Sequence, residues 1–155
     1  MKTACVVIVM ALVSWNCGGP RAMKASINET AALDGRSMPW NPLQGNMIAP
    51  IVDKRASTIS ILYGNDAAVA YARSHSIPEY PDGSVLALVT WEEQADVRWF
   101  GGQIPGRVKS IEFVTQREGR ATYERFEGVP LTRTATSGES RAAELLSIRA
   151  PVTVN

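Results

Sequence analysis

Sulfur and imidazole are scarce in this sequence: 155 residues include two cysteines and one histidine. Both cysteines, Cys5 and Cys17, fall at the N-terminal end, so no disulfide braces the rest of the chain and packing alone must stabilise it. A zinc site wants three or four His, Cys or acidic ligands at short spacing. The lone histidine, His75, has no such neighbours in sequence, so no metal site is expected. A serine–histidine–aspartate arrangement would also have to use His75, and there is no G-x-S-x-G elbow to offer the serine. His75 follows a predicted exposed helix and reads as a solvated residue. Phosphate cradles are missing too: "GGQIPG" has neither the dinucleotide-binding spacing nor the Lys-Ser/Thr of a P-loop. Charge of one sign is absent. The 16 basic and 15 acidic residues leave a formal net charge of +1, which gives no electrostatic footprint for nucleic acid. No apolar run reaches the ~20 residues that a membrane-spanning helix needs.

What is present begins at the N-terminus. "MKTACVVIVMALVSWNC" places Lys2 before an apolar run of about a dozen residues, Ala4 to Trp15, which is the size of a secretory signal core. Export is therefore expected, to a periplasm or to the periplasmic or outer face of a membrane. Cys17, followed by Gly18 and Gly19, fits the outline of a lipidation site and so of a lipid anchor, although Trp15 and Asn16 are not the small residues such a site prefers. A plain signal peptide cut slightly later is the other reading. The organisation that follows is a signal over 1–17, a Gly-, Ala-, Ser- and Met-rich tether or loosely packed lead-in over 18–40, and a folded domain over 41–155.

"MPWNPLQGNMIAPIV" carries three prolines and reads as extended or looped, with Trp40 and Ile48 available to pack on a sheet. In "STISILYGNDAAVAYARSHS" the alternation of Ile59, Ile61 and Tyr63 with Thr58, Ser60 and Leu62 predicts a strand. Gly64 ends it, Asn65 caps a helix, and Asp66 complements the helix dipole. "PDG" at Pro81–Gly83 is a turn. "SVLALVTW" is apolar on both alternating faces, which predicts a central strand covered on both sides. "EEQADVRWFGGQIPG" is read as a long connection. "VKSIEFVTQ" and "ATYERFEG" form a hairpin around "REG", with Gly119 supplying a positive φ. A final helix is predicted from about Glu139 to Arg149, with Ser137 as a candidate cap. Consecutive antiparallel strands with two or three short helices make this α+β, mainly antiparallel sheet.

Two clusters invite a chemical reading. Glu92, Glu93 and Asp96 form a carboxylate group that reads as a solvated loop. Tyr80, Trp91, Trp99 and Phe100 fall near one another in the predicted topology. They either wall a pocket for a flat small-molecule ligand or form the core of a small sheet.

The order of these segments resembles the cytochrome P460 domain family, periplasmic proteins that include the β-type cytochromes c′. The likeness is carried by "STISILYGNDAAVAYAR", "YPDGSVLALVTW", "WFGGQIPGRVKSIEFVTQ" and "YERFEGVPL", over roughly residues 40 to 131. The resemblance implies covalent haem near the C-terminus on a C-x-x-C-H signature, often followed by Ala-Pro. Here "LLSIRAPV" keeps Ala150-Pro151, but Leu145 and Ile148 stand at the thiol positions and Arg149 at the axial histidine. A guanidinium stays protonated and offers iron no lone pair. Catalytic members also join a lysine to the porphyrin, and the lysines beyond the signal are Lys24, Lys54 and Lys109. Haem c is thus not expected, and no catalytic residue is assigned. The leading expectation is a domain without covalent haem in a binding or structural role, with Leu145 and Leu146 filling the macrocycle's space. The alternative is non-covalent haem with hydroxylamine or nitric oxide chemistry, held by Tyr80, His75 or a methionine, with Arg149 pairing a propionate. A third reading has Arg149 clamp an anionic ligand beside the aromatics. The resemblance also implies a candidate homodimer through sheet packing.

Overall fold

A computed structural model of the chain describes residues 28–33, 38–74, 79–135 and 138–151. Among these residues, six strands form one antiparallel sheet in chain order: β1 (Asn46–Asp53), β2 (Thr58–Gly64), β3 (Val85–Ala95), β4 (Gln103–Arg117), β5 (Arg120–Glu127) and β6 (Thr132–Thr134). Helix α1 (Asp66–Ser74) joins β2 to β3, and α2 (Glu139–Ser147) follows β6. The α+β class with a mainly antiparallel sheet is the one observed.

Alternation decides what each face buries. Along β2, Thr58, Ser60, Leu62 and Gly64 are buried, and the residues between them are half-buried. The helices cover the first of these faces. Ala68, Val69, Tyr71 and Ala72 of α1 and Ala142 and Leu145 of α2 pack there on Ile48, Leu62, Leu86, Leu88 and Val114. The opposite face gathers Ala87, Val89, Trp91, Val108, Ile111, Phe113 and Phe126. Phe113 and Phe126 meet there edge to face, 5.7 Å between centroids. Burying one such side chain contributes roughly 1.5–3 kcal/mol. With a core on each side, β3 is the two-faced central strand its sequence predicts.

Local chemistry fixes the junctions. Asn65 caps α1 as expected, its Oδ1 accepting from Ala68 N at 3.1 Å. The same oxygen accepts from Val85 N at 3.1 Å, and Nδ2 donates to Gly83 O at 2.8 Å. One side chain therefore caps a helix and pins the start of β3. Gly119 has φ 68 in the β4–β5 turn, the conformation that favours glycine there.

The proline-bearing segment is looped and then extended, as read: a short 3-10 turn (Pro42–Gln44) leads into β1. Pro50 is tolerated because β1 is an edge strand, where a missing N–H disrupts no second ladder. Three other expectations need correcting. The long connection after Trp91 is mostly strand: β3 runs to Ala95 and β4 begins at Gln103. The final helix stops at Ser147, leaving Ile148 and Arg149 beyond it, with the Ile148 N–H donating to Leu145 O at 3.2 Å. Part of the expected lead-in is also ordered against the sheet. Ala31, Leu33, Met38 and Trp40 pack on the second core, and Trp91 Nε1 donates to Ala31 O at 3.1 Å. Ser137 lies outside the described residues, as do His75, Cys17 and Lys24.

Candidate functional site

The helix-covered face carries two polar assemblies on either side of α2. The first joins Tyr71 of α1, Tyr80 before β3, and Arg149. The two rings sit 4.1 Å apart, and the guanidinium carbon lies 4.7 Å from the Tyr71 centroid and 5.5 Å from that of Tyr80. Stacking of this kind suits a planar delocalised cation. Arg149 Nη2 donates to Tyr71 Oη at 2.7 Å, and Nη1 donates to Leu146 O at 2.7 Å. Tyr80 Oη donates to Ile148 O at 3.1 Å. Burial pushes the Tyr80 hydroxyl above its usual value, and the Arg149 charge partly offsets this. An open cleft of about 400 Å³ borders this group, lined in part by Glu79, Gln116 and Leu146. The buried Oε1 of Gln116 has no hydrogen-bond partner. Arg149 thus holds the C-terminal segment against α1 through carbonyls and rings.

Of the four aromatic candidates, only Tyr80 reaches this assembly. Trp91 belongs to the core on the other face of the sheet. Trp99 and Phe100 lie in the β3–β4 hairpin loop and are 74% and 104% exposed. The four rings do not form a wall. Trp91 and Tyr80 are core residues of opposite faces, and the glycine-flanked loop carries Trp99 and Phe100 outward.

The second assembly centres on Glu112 of β4. Its side chain is 3% exposed. It accepts from Arg141 twice, Nε to Oε2 at 2.8 Å and Nη2 to Oε1 at 3.0 Å. Tyr123 Oη donates to Oε2 at 2.7 Å, and Arg125 Nη1 stands 3.7 Å from Oε1. Burial alone would raise this carboxyl. Hydrogen bonds from Arg141 and Tyr123, with the charges of Arg141 and Arg125, outweigh it and hold the group below the ordinary carboxylate value. The same contacts push Arg141 upward, and burial together with Glu112 raises the Tyr123 hydroxyl.

Beside this cluster opens a cleft of about 350 Å³. Its floor is a row of hydroxyls from adjacent strands, Thr58 and Ser60 of β2, Thr90 of β3 and Ser110 of β4. Ser60 and Thr90 bond each other at 2.9 Å. Lys109, Arg125 and Arg141 stand at its edges, and Leu145 and Ile148 form its apolar side. Such a cleft pairs a few fixed polar groups with an apolar wall, the general make-up of a small-molecule site. Lys54, by contrast, forms an ion pair with Glu93 at 3.0 Å.

Sequence reasoning missed this assembly. Alternation in "SIEFV" sets Ser110 and Glu112 opposite Ile111 and Phe113, which reads as a solvent-facing side. A helix arriving from the C-terminus covers that side instead. The signal was a carboxylate and hydroxyls on interior strands, matched by arginines in β5 and α2. No cluster of three or more His, Cys, Asp or Glu able to hold a metal occurs among the described residues. Glu92, Glu93 and Asp96 sit at the end of β3 and just past it, each in an ion pair, with Arg107 at 3.6 Å, Lys54 at 3.0 Å and Arg98 at 3.6 Å.

No protein among those with curated descriptions matches the chain. A family model described as cytochrome P460 matches residues 44–130, spanning β1 to the end of β5 and so all three strands that floor the polar cleft. With more than half its length covered by that match, the chain belongs to the cytochrome P460 family.

Proposed function

We propose that this chain is an exported P460 domain that carries no covalent haem and works by binding a small polar molecule in the hydroxyl-floored cleft. The observation that carries the reading is the C-terminal segment. Leu145, which the resemblance sets at a thiol position, is 1% exposed in the core, and it also edges the cleft together with Ile148, which the resemblance sets at the other. Arg149, which the resemblance sets at the axial histidine, donates to Leu146 O, Ile148 O and Tyr71 Oη. These residues do not suit a haem c. Thioether bonds need two sulfurs, and an axial ligand needs a lone pair that a guanidinium lacks. The cleft instead offers hydroxyls, Lys109 at its edge and an apolar side, which suit a compact ligand bearing hydrogen-bond acceptors. An anion clamp at Arg149 is not favoured, since its guanidinium already bonds carbonyls and a tyrosine.

An absorption spectrum of the natively purified protein, produced in a host that assembles haem c, tests this. A colourless protein is expected. A Soret band whose pigment survives denaturing electrophoresis would overturn the reading. A Soret band lost on denaturation would replace it with the non-covalent haem alternative.

A further inference from the structure

We propose that the tip of the β3–β4 hairpin is a docking element that seats in the headgroup layer of a phospholipid bilayer. The tip reads "VRWFGG", and Val97, Trp99 and Phe100 are 94%, 74% and 104% exposed. Large exposed apolar groups gathered in one short segment mark an interaction site. The loop is held in shape. Gly102 N donates to Trp99 O and Asp96 N to Gly102 O, both at 2.9 Å, and Arg98 N donates to Asp96 Oδ1 at 2.8 Å. A braced turn presenting tryptophan and phenylalanine to solvent matches the amphipathic aromatics that settle at membrane interfaces.

The charges around the tip point to the same kind of contact. Arg98, Arg107 and Lys54 are paired with Asp96, Glu92 and Glu93. The surface carries no net field to draw it to anionic lipid, so attachment proceeds by inserting apolar side chains.

The path of the chain supplies the occupant. Residues 1–27 precede the described part, and they include the apolar run Ala4 to Trp15 and Cys17. The first described residue, Asn28, donates from Nδ2 to Pro105 O at 2.6 Å, and Pro105 pairs with Glu93 at the base of this hairpin. The N-terminal segment therefore joins the fold at the end of the sheet from which the tip projects. From Cys17 to Asn28 the chain reaches at most about 40 Å. From Pro105 to Phe100 a strand spans no more than about 17 Å. A lipid anchor on Cys17 keeps the tip within reach of the same bilayer. This inference is independent of the ligand reading above, and its test fails separately.

The test uses the chain as purified after export, from which either signal reading removes Trp15, mixed with phosphatidylcholine–phosphatidylglycerol vesicles, with and without brominated acyl chains. Trp40 and Trp91 pack on the second core face, so Trp99 reports the lipid. Its emission is expected to shift to the blue and to be quenched by the bromolipid. Both effects should vanish when Trp99→Phe is added. Trp99→Ser with Phe100→Ser should lower the vesicle partition coefficient by about tenfold or more. Quenching unaffected by Trp99→Phe would overturn the proposal, because attachment would then lie elsewhere in the chain. Shielding of Trp99 from aqueous acrylamide that grows with protein concentration without vesicles would also overturn it, a second copy being the occupant.

Discussion

Replacing Arg141 with alanine isolates the chemistry of the buried carboxylate. The substitution removes both short guanidinium contacts to Glu112, at 2.8 and 3.0 Å. What remains is one hydrogen bond from Tyr123 at 2.7 Å and Arg125 at 3.7 Å, for a carboxylate side chain that is 3% exposed. Stripping one partner from a buried pair costs about 3–5 kcal/mol. Arg141 is itself 36% exposed and Arg125 remains close, so solvent screening brings the loss below that range, to about 2–3 kcal/mol. In urea unfolding followed by tryptophan fluorescence this lowers the midpoint by about 1 M. Removing both members together, Glu112→Leu with Arg141→Leu, should cost far less, because no charge is left without a partner. The Arg141→Ala deficit should also shrink on acidification, since a protonated Glu112 needs no cation. A single-variant loss below ~1 kcal/mol, the value of a surface ion pair, would refute the reasoning. So would a double variant as damaged as the single.

Other outcomes follow from the same contacts. The Glu112 pKa is lower folded than unfolded, so the unfolded chain takes up the proton more readily as pH falls. Its stabilising contribution is full above the ordinary value of 4.5 and is lost as pH drops through the folded value. Urea midpoints measured downward from about pH 5 should therefore fall more steeply for the wild type than for Glu112→Gln. Asn65→Ala removes a helix cap and two bonds to the α1–β3 junction, and should cost about 1–2 kcal/mol or more in thermal unfolding. Gly138→Ala places a methyl group against the Tyr123 ring at the start of α2. It should cost about 1–3 kcal/mol and weaken the Tyr123–Glu112 bond, seen as a lower tyrosine pKa in an ultraviolet titration.

Much of the sheet was legible because its residues obey one period. Thr58 to Tyr63 and Ile111 to Phe113 alternate, Val85 to Trp91 is apolar on both faces as a doubly covered strand must be, and Asn65 and Gly119 are residues whose backbone roles follow from their chemistry. Pro50 left the segment over β1 open between extended and looped, because its meaning depends on whether a strand lies at an edge. The polar assembly was hidden for a different reason. Alternation says which residues share a face of β4, not which face a later helix will cover. Tyr80, Trp91, Trp99 and Phe100 fall near one another in the predicted topology, but the sheet separates Tyr80 from Trp91 by its own thickness.

The sheet is a simple meander in which every strand bonds its neighbours in sequence. Among the described residues, the pieces that must travel are the lead-in on one face and the C-terminal segment on the other. The C-terminal segment is the one that bears on the polar cleft. It ties Arg141 to Glu112, Ile148 to Tyr80 and Ala150 to Ala72, and it lies beyond the matched span of 44–130. Successive hairpins can zip from local contacts before that piece arrives, so it serves as an interchangeable keystone. Side chains there can change without re-laying any strand, while the masonry beneath keeps its pairing.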